Sequence, residues 1–360
     1  MTCSNSSMEL LPGLPDHLAL ECLIRLPFHH FSVAASVSKA WNAEIQMPEF
    51  RRRRDEAGFS RSVLVLAQAR VDPNRERNSK VMATPAYRLT LCDPESGSWS
   101  ELPPLPAFSD GLPMFCGLVG VGSELVVMGG CEPGNWRISN SVFVYSFVSG
   151  KWRRGAPMPG GPRIFFGCVS DSGGAVYVAG GHDDEKNALK SAMTYDVARD
   201  EWAPLPDMAE ERDECKAVFH RGKLHVISGY PTEMQGRFRA DSEALDISAG
   251  RWDHEEESLC SATCPRTCVD DGDGRLYMCQ DGNVMAREEG TWERVAALPA
   301  AVRNVAHVTA WQSKLVVIGC ERYGEAHRAQ LMDLKSGSWN EVAGGEEYGG
   351  HVQGGCYLEI

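Results

Sequence analysis

The 360 residues predict a mainly β protein, six four-stranded sheets set radially as a propeller and preceded by a small three-helix module. Three observations carry that reading. Glycine (36) and proline (20) are abundant, which favours short strands and turns over long helices. Six tryptophans, Trp99, Trp152, Trp202, Trp252, Trp292 and Trp339, close similar segments at steps of 53, 50, 50, 40 and 47 residues. Residues 9–50 instead space their apolar side chains at helical intervals. The expected organisation is a disordered leader at 1–8, the helical module at 9–50, a linker at 51–60 and the propeller at 61–360.

In the helical module Leu14, Leu18, Cys22 and Leu26 fall four apart. Pro15 suits a first turn, where its missing N–H costs nothing, and Asp16 suits the positive end of the helix dipole. Pro27 stops that helix, and Ser32 is placed to cap a second one carrying Val33, Val37 and Trp41. Three short helices bury little surface, so an apolar face left unsatisfied is a surface for a partner. Arg51, Arg52, Arg53 and Arg54 follow. They read as a nuclear localisation cluster or as a solvated helix end, where cations complement the dipole.

Each repeat then offers four strands. In the second unit these are Phe115-CGLVGVG, Glu124-LVVMGG, Ser141-VFVYS and the run opened by Trp152. Four of the six tryptophans have Asp six places earlier, and most have Gly two earlier, the chemistry of a tight hairpin. Tryptophan fills the space between neighbouring sheets, and the paired glycines at 129–130 and 180–181 suit strand ends where backbones crowd. Segment 70–86 reads as a polar loop inside the first unit. That unit lacks a first strand, whereas His351-VQGGCYLEI is a first strand with no unit after it. The C-terminal strand is therefore expected to complete the N-terminal blade and close the ring.

The order apolar strand, Gly-Gly, aromatic strand, Trp resembles the kelch repeat over about residues 61–360. The fourth unit departs from it with Ser228-Gly229, the sixth with Gly319-Cys320, and the first and fifth lack the pair. Ahead of the ring, Leu14-Pro15-Asp16, Leu23, Leu26-Pro27 and Val37-Ser38-Lys39-Ala40-Trp41 resemble an F-box. The combination resembles the plant F-box/kelch-repeat proteins, and within them the group that brings phenylalanine ammonia-lyase or cytokinin-response regulators to ubiquitination. The resemblance implies a substrate-recognition subunit of an SCF-type cullin–RING ubiquitin ligase. Leu14, Pro15, Leu18, Leu23, Leu26, Pro27, Val37 and Trp41 would meet the Skp adaptor. The propeller would hold the protein to be degraded. Arg163, Arg212, Arg266 and Arg303 recur where first strands begin, with His351 in the matching place of the closing strand. In the resemblance such arginines line the channel mouth and in some members grip acidic groups; they equally suit a role satisfying carbonyls and inter-blade carboxylates. Trp136, Tyr230 and Phe238, in the longer loops between second and third strands, are candidate aromatic anchors.

The formal charge of −13 argues against binding a phosphate backbone, and no apolar run reaches the length of a membrane span. No secretory signal opens the sequence, so the thirteen cysteines read as reduced thiols and the expected location is cytoplasm, nucleus or both. Cys260, Cys264 and Cys268, with His254 upstream, lack the C-x2-C spacing of structural zinc. Asp183-Asp184-Glu185 in a loop reads as solvated carboxylates rather than a catalytic pair. No nucleophile, metalloprotease or phosphate-loop motif occurs. No cofactor, metal or catalytic residue is expected, and the chemistry belongs to the conjugating enzyme that the ligase brings near. The competing readings are a kelch scaffold without ligase coupling and a propeller enzyme.

Overall fold

The computed structural model describes residues 10–71, 85–108, 111–171, 174–255, 264–288 and 291–360. The leader, most of segment 70–86, Cys260 and the side chain of His254 lie outside the described residues.

Six four-stranded antiparallel sheets form the ring. In the second, Gly117–Val121 is innermost, followed outward by Glu124–Met128, Val142–Ser146 and Lys151–Gly155. The innermost strands Val352–Glu359, Gly117–Val121, Gly167–Ser170, Lys216–His220, Val269–Asp270 and Asn304–Trp311 touch in closed succession. The expected closure is present. Val352–Glu359 pairs with Ser62–Ala69, Leu64 lying opposite Tyr357, and Arg61 and Ile360 exchange backbone bonds of 2.8 and 2.9 Å. The seam therefore has no free edge.

Both faces of each sheet are covered by its neighbours, so the second strands are largely apolar. In Glu124–Met128, alternation sends Leu125 and Val127 into a core shared with the first sheet, and Val126 and Met128 into one shared with the third. Each such buried side chain contributes about 1.5–3 kcal/mol. Leu125→Ala is expected to lower the unfolding free energy by about 2–5 kcal/mol in chemical denaturation; a loss under about 1 kcal/mol would contradict a core shared between sheets.

The repeat signature does the joining. Trp99, Trp152, Trp202 and Trp252 donate their indole N–H to Ala343, Pro103, Ala156 and Pro206 carbonyls at 2.9, 3.0, 2.9 and 2.7 Å. Each acceptor lies four residues past the tryptophan of the preceding sheet, so the fifty-residue spacing is itself the link between sheets. Oδ1 of Asp93, Asp246 and Asp333 accepts backbone N–H groups two and three residues on. Gly97, Gly250 and Gly337 then take φ of +68°, +61° and +71° before the chain enters the outer strand. At Gly129 and Gly130 a Cβ would sit 2.8 Å from the Arg163 carbonyl and 2.7 Å from that of Met114. The glycine pair thus lets adjacent sheets approach at their upper ends.

Four helices stand where three were expected: α1 (Asp16–Ile24), α2 (Phe31–Val37), α3 (Lys39–Gln46) and α4 (Pro48–Glu56). The stretch expected as a linker is helical as far as Glu56, because Pro48 opens a helix with Glu49 in its first turn and Arg53 and Arg54 in its last. Ser38, not Ser32, is the cap. Its backbone is extended and its Oγ accepts the Trp41 N–H at 3.1 Å, which separates Trp41 on α3 from Val33 and Val37 on α2.

Candidate functional site

The helices and the ring share one core. Leu23, Ile24, Phe31, Ile45 and Phe50 belong to the same buried cluster as Val63, Leu125, Phe147 and Ile360. Phe28 meets Phe147 edge-on at 6.2 Å, and Ser32 lies against Gly150. The fully buried Arg54 binds the Ile24, Leu26 and Phe59 carbonyls and lies over the Phe31 ring, fixing α4 to the end of α1. Burial, with the charge of Arg61 nearby, lowers its guanidinium to about 10. Arg52 and Arg53 pair with Glu49, and Arg52 also with Glu56. The four-arginine run is therefore a helix end with its charges largely engaged.

The four-apart row of α1 is not its buried side. Ala19, Leu20, Leu23 and Ile24 face the core, and Leu18 and Cys22 face solvent. Leu18, Val33 and Val37 are 44, 63 and 61% exposed, and Met47 is exposed as well. Pro15 and Pro27 are exposed, while Leu14, Leu26 and Trp41 are half-buried, with the Trp41 indole donating to the Leu10 carbonyl. Leu23 is buried and presents no surface, which corrects its expected place at the adaptor contact. Val33 and Met47 were not among the residues expected at the adaptor contact.

The helices contact turns between first and second strands (Gly122, against Arg51) and between third and fourth strands (Gly150). The loops before first strands and those between second and third strands lie at the opposite ends of the strands. Arg163, Arg212, Arg266, Arg303 and His351 all sit on that far face, but they do two different things.

Arg163 and Arg212 are buried, which corrects their expected role in contacting a partner. Arg163 bonds the Gly180 and Ser191 carbonyls at 3.1 and 3.2 Å and Ser191 Oγ at 2.6 Å; burial lowers its guanidinium to about 10. Arg212 bonds the Ser228 carbonyl at 2.8 Å, Glu243 at 3.0 Å and Asp241 at 3.1 Å. Each clamps the ends of the second and third strands of its own sheet. Each also accepts, at its carbonyl, the N–H of a glycine in the preceding sheet, Gly130 or Gly181. Burial works to raise the Asp241 carboxyl, but bonds from Arg239 and Arg212 and their charges hold it down at about 2. A carboxyl depressed in the fold stabilises it above the ordinary value of 3.8 and loses that contribution as pH falls toward 2. Arg239→Gln should flatten the loss of stability between pH 4 and pH 2 in urea titrations, by weakening that depression; an unchanged slope would contradict the pairing.

Arg266 and Arg303 stand where the glycine pair has eroded. The fifth sheet joins its second and third strands by the short turn Asp281-Gly282, and in the sixth, which has Gly319-Cys320, the Cys320 and Glu321 carbonyls are taken by the Asn304 amide at 3.4 and 2.6 Å and not by Arg303. Both arginines are exposed and, among the described residues, their guanidinium groups have neither an ion-pair nor a hydrogen-bond partner. With His351, His327 and Tyr323 they line one cleft of about 390 Å³. His327 accepts the Val352 N–H at Nδ1 (3.2 Å) and meets the His351 ring edge-on at 4.9 Å; His351 Nδ1 is 3.0 Å from the Tyr87 hydroxyl. Burial, then the neighbouring His351, lowers His327 to about 4; burial, then Arg266, lowers His351. Both rings are neutral at pH 7. Tyr323 is 90% exposed and, like His327, was missed in sequence because its short loop carries no repeat signature.

The aromatic candidates divide similarly. Trp136 is exposed, Tyr230 is buried with its hydroxyl on Glu214 at 2.8 Å, and Phe238 lies half-buried against Tyr230. Tyr230 is therefore a support and not a free anchor. Among the described residues no group of three or more His, Cys, Asp or Glu side chains is placed to hold a metal, and none of the helices could cross a membrane. Asp183 closes its own loop, accepting the Glu185 and Asn187 N–H groups at 3.0 and 2.8 Å.

Comparison with known proteins agrees with this geometry. Residues 11–53 match the F-box domain, and residues 114–159 and 163–209 match the Kelch motif. Two F-box/kelch-repeat proteins of Arabidopsis thaliana are 49% and 48% identical, each match spanning 98% of this chain and 100% of the relative. A solved structure described as that of YjhT superposes with a TM-score of 0.56 at 14% identity, over 71% of this chain and 90% of that one, a likeness of fold alone.

Proposed function

Because this chain belongs to the plant F-box/kelch-repeat proteins, we propose that it is the substrate-recognition subunit of an SCF-type ubiquitin ligase. The observation that supports the reading most is the apolar surface of Leu18, Val33, Val37 and Met47 on helices whose other sides are sealed into the ring. Exposed apolar side chains on an otherwise anchored module suit a docking surface, and the F-box match supports a Skp-type adaptor as its occupant. The substrate would meet the far face, around Arg266, Arg303, His351 and Trp136. No catalytic residue is needed. Holding a substrate near a charged conjugating enzyme raises its effective concentration and so its rate of modification. Phenylpropanoid enzymes and cytokinin-response regulators are the substrates proposed first, and cytoplasm and nucleus the compartments.

The shared core fixes the choice of test. Removing the helices would strip cover from Phe147, Val148 and Ile360, so a deleted chain is expected to aggregate. Surface substitutions in the full chain are the better probe. Pull-down of a Skp adaptor by the full chain, lost in Leu18→Glu/Val37→Glu, supports the reading. Equal capture by both proteins contradicts it.

A further inference from the structure

We propose that an arginine of the substrate, presented on an extended segment, lies across a row formed by Phe115, Phe165 and Glu214 at the mouth of the channel. This rests on the receptor reading and names the kind of residue that the far face takes.

One backbone device, repeated in three successive sheets, makes the row. Phe115, Phe165 and Glu214 each stand two places before the innermost strand of the second, third and fourth sheets. Just before them, Met114, Ile164 and Asp213 bridge to Cys131, His182 and Tyr230. There the chain passes over Gly130, Gly181 and Gly229, where a Cβ would meet the carbonyls of Met114, Ile164 and Asp213. The next residue then turns through φ of +57°, +54° and +51°. Gln353 Oε1 accepts the Phe115 N–H at 2.9 Å in the first of these turns. A positive φ strains any residue with a Cβ, and glycine would make the turn without that strain. Two of the three positions carry phenylalanine instead. Neither ring joins a core cluster; the residues that pack inward are their neighbours Cys116 and Phe166. Phe115 is 40% exposed, Phe165 is half-buried, and their rings lie 4.7 Å apart between centroids. Strain kept at solvent-facing aromatic residues on a loop face is a feature of binding surfaces.

Charge selects the occupant. Glu214 continues the row, and its Oε1 accepts the Tyr230 hydroxyl at 2.8 Å, a bond that orients the carboxylate without neutralising it. Among the described residues no cation pairs with Glu214. The charge of Lys216, two places on, is felt at Cys168 and His307. On the other side of the row His182 lies 5.6 Å from the Phe165 ring and 2.8 Å from the Asp213 carboxylate. The far-face loops of the third and fourth sheets, 180–191, 206–215 and 228–241, carry ten carboxylates and five Lys or Arg side chains. Two of those five, Arg212 and Arg239, are already paired.

A purely apolar side chain would cover the rings and leave Glu214 desolvated without a partner. Arginine satisfies both halves of the row. Its methylene stem lies along apolar surface, its guanidinium stacks on a ring face, and its N–H fork takes a carboxylate. The chain uses the same stacking internally, with Arg54 over Phe31 at 4.8 Å and Arg25 over Phe59 at 5.3 Å.

The test uses the full chain bound to its adaptor and three pools of short, otherwise random peptides, centred on arginine, on its neutral isostere citrulline, or on glutamate. The expected result is retention of the arginine pool at least about tenfold above the other two. Glu214→Gln removes the charge and keeps an acceptor for Tyr230, and it should lose that preference. Phe115→Gly/Phe165→Gly removes the rings at positions where glycine is unstrained, and it should lose the preference as well. Glu201→Gln, exposed on the outer strand of the third sheet, should keep it. Equal retention of the citrulline pool would overturn recognition of a cation. A preference unchanged in Glu214→Gln or in Phe115→Gly/Phe165→Gly, or lost equally in Glu201→Gln, would overturn the site. Adaptor capture measured in the same samples separates these failures from a failure of the receptor reading, which alone would abolish that capture.

Discussion

Leu18→Glu combined with Val37→Glu is expected to weaken adaptor capture by at least about 100-fold, equivalent to about 2.7 kcal/mol. The effect is large because a docking surface desolvates what it covers, and a carboxylate buried without a partner is far costlier than the methyl groups it replaces. The fold should not notice. Both side chains face solvent, and substitutions at such positions usually change stability by under about 0.5 kcal/mol. Titration calorimetry with the purified adaptor and a thermal melt of each variant measure the two halves. A variant that binds normally would remove the helices from the adaptor contact; one that binds poorly and also melts early would show that these residues belong to the core.

Arg212→Ala should destabilise the ring by about 3–5 kcal/mol, whereas Arg303→Ala should change its stability by under about 0.5 kcal/mol. The two arginines occupy the same place in the repeat and look alike in sequence. Their surroundings differ. Arg212 is wholly buried, and Ala in its place leaves Glu243 in the interior without its counter-charge and the Ser228 carbonyl without its donor. Arg303 lies in the open cleft and leaves nothing unpaired behind. Urea denaturation of the two variants side by side gives the comparison. Equal losses would mean that the cleft arginine is also a strut, and it would then be unavailable to a ligand.

That pair also shows where sequence reading runs out. The ring was legible because its determinants are local. An Asp, a positive-φ glycine and a tryptophan within seven residues make a turn whose chemistry does not depend on the rest of the chain, and six tryptophans in such or similar contexts count six sheets. Closure was legible because the missing first strand of one unit and the surplus strand at the other end match in number. The division among the arginines was not, because whether a guanidinium is consumed depends on groups 16, 29 and 31 residues away, Ser228, Asp241 and Glu243 for Arg212. A signal was nevertheless present. The sheets that keep a glycine at the end of the second strand and a long following loop hold their arginine; those that have lost the long loop leave it free. In the helices, four-residue spacing found the row of α1 that carries the exposed Leu18 but not the buried side made by Ala19, Leu20, Leu23 and Ile24. Leu18 and Leu23 are equally apolar, and only the position of the ring decides which is covered.

The most direct measurement is the half-life of proteins retained by the full chain in plant cells, compared between the wild-type sequence and Leu18→Glu/Val37→Glu. The expected result is at least one protein that the doubly substituted chain holds, that wild type depletes, and whose lifetime lengthens when the adaptor contact is broken. A set of retained proteins whose lifetimes are the same with either chain would contradict a ligase receptor and leave a scaffold.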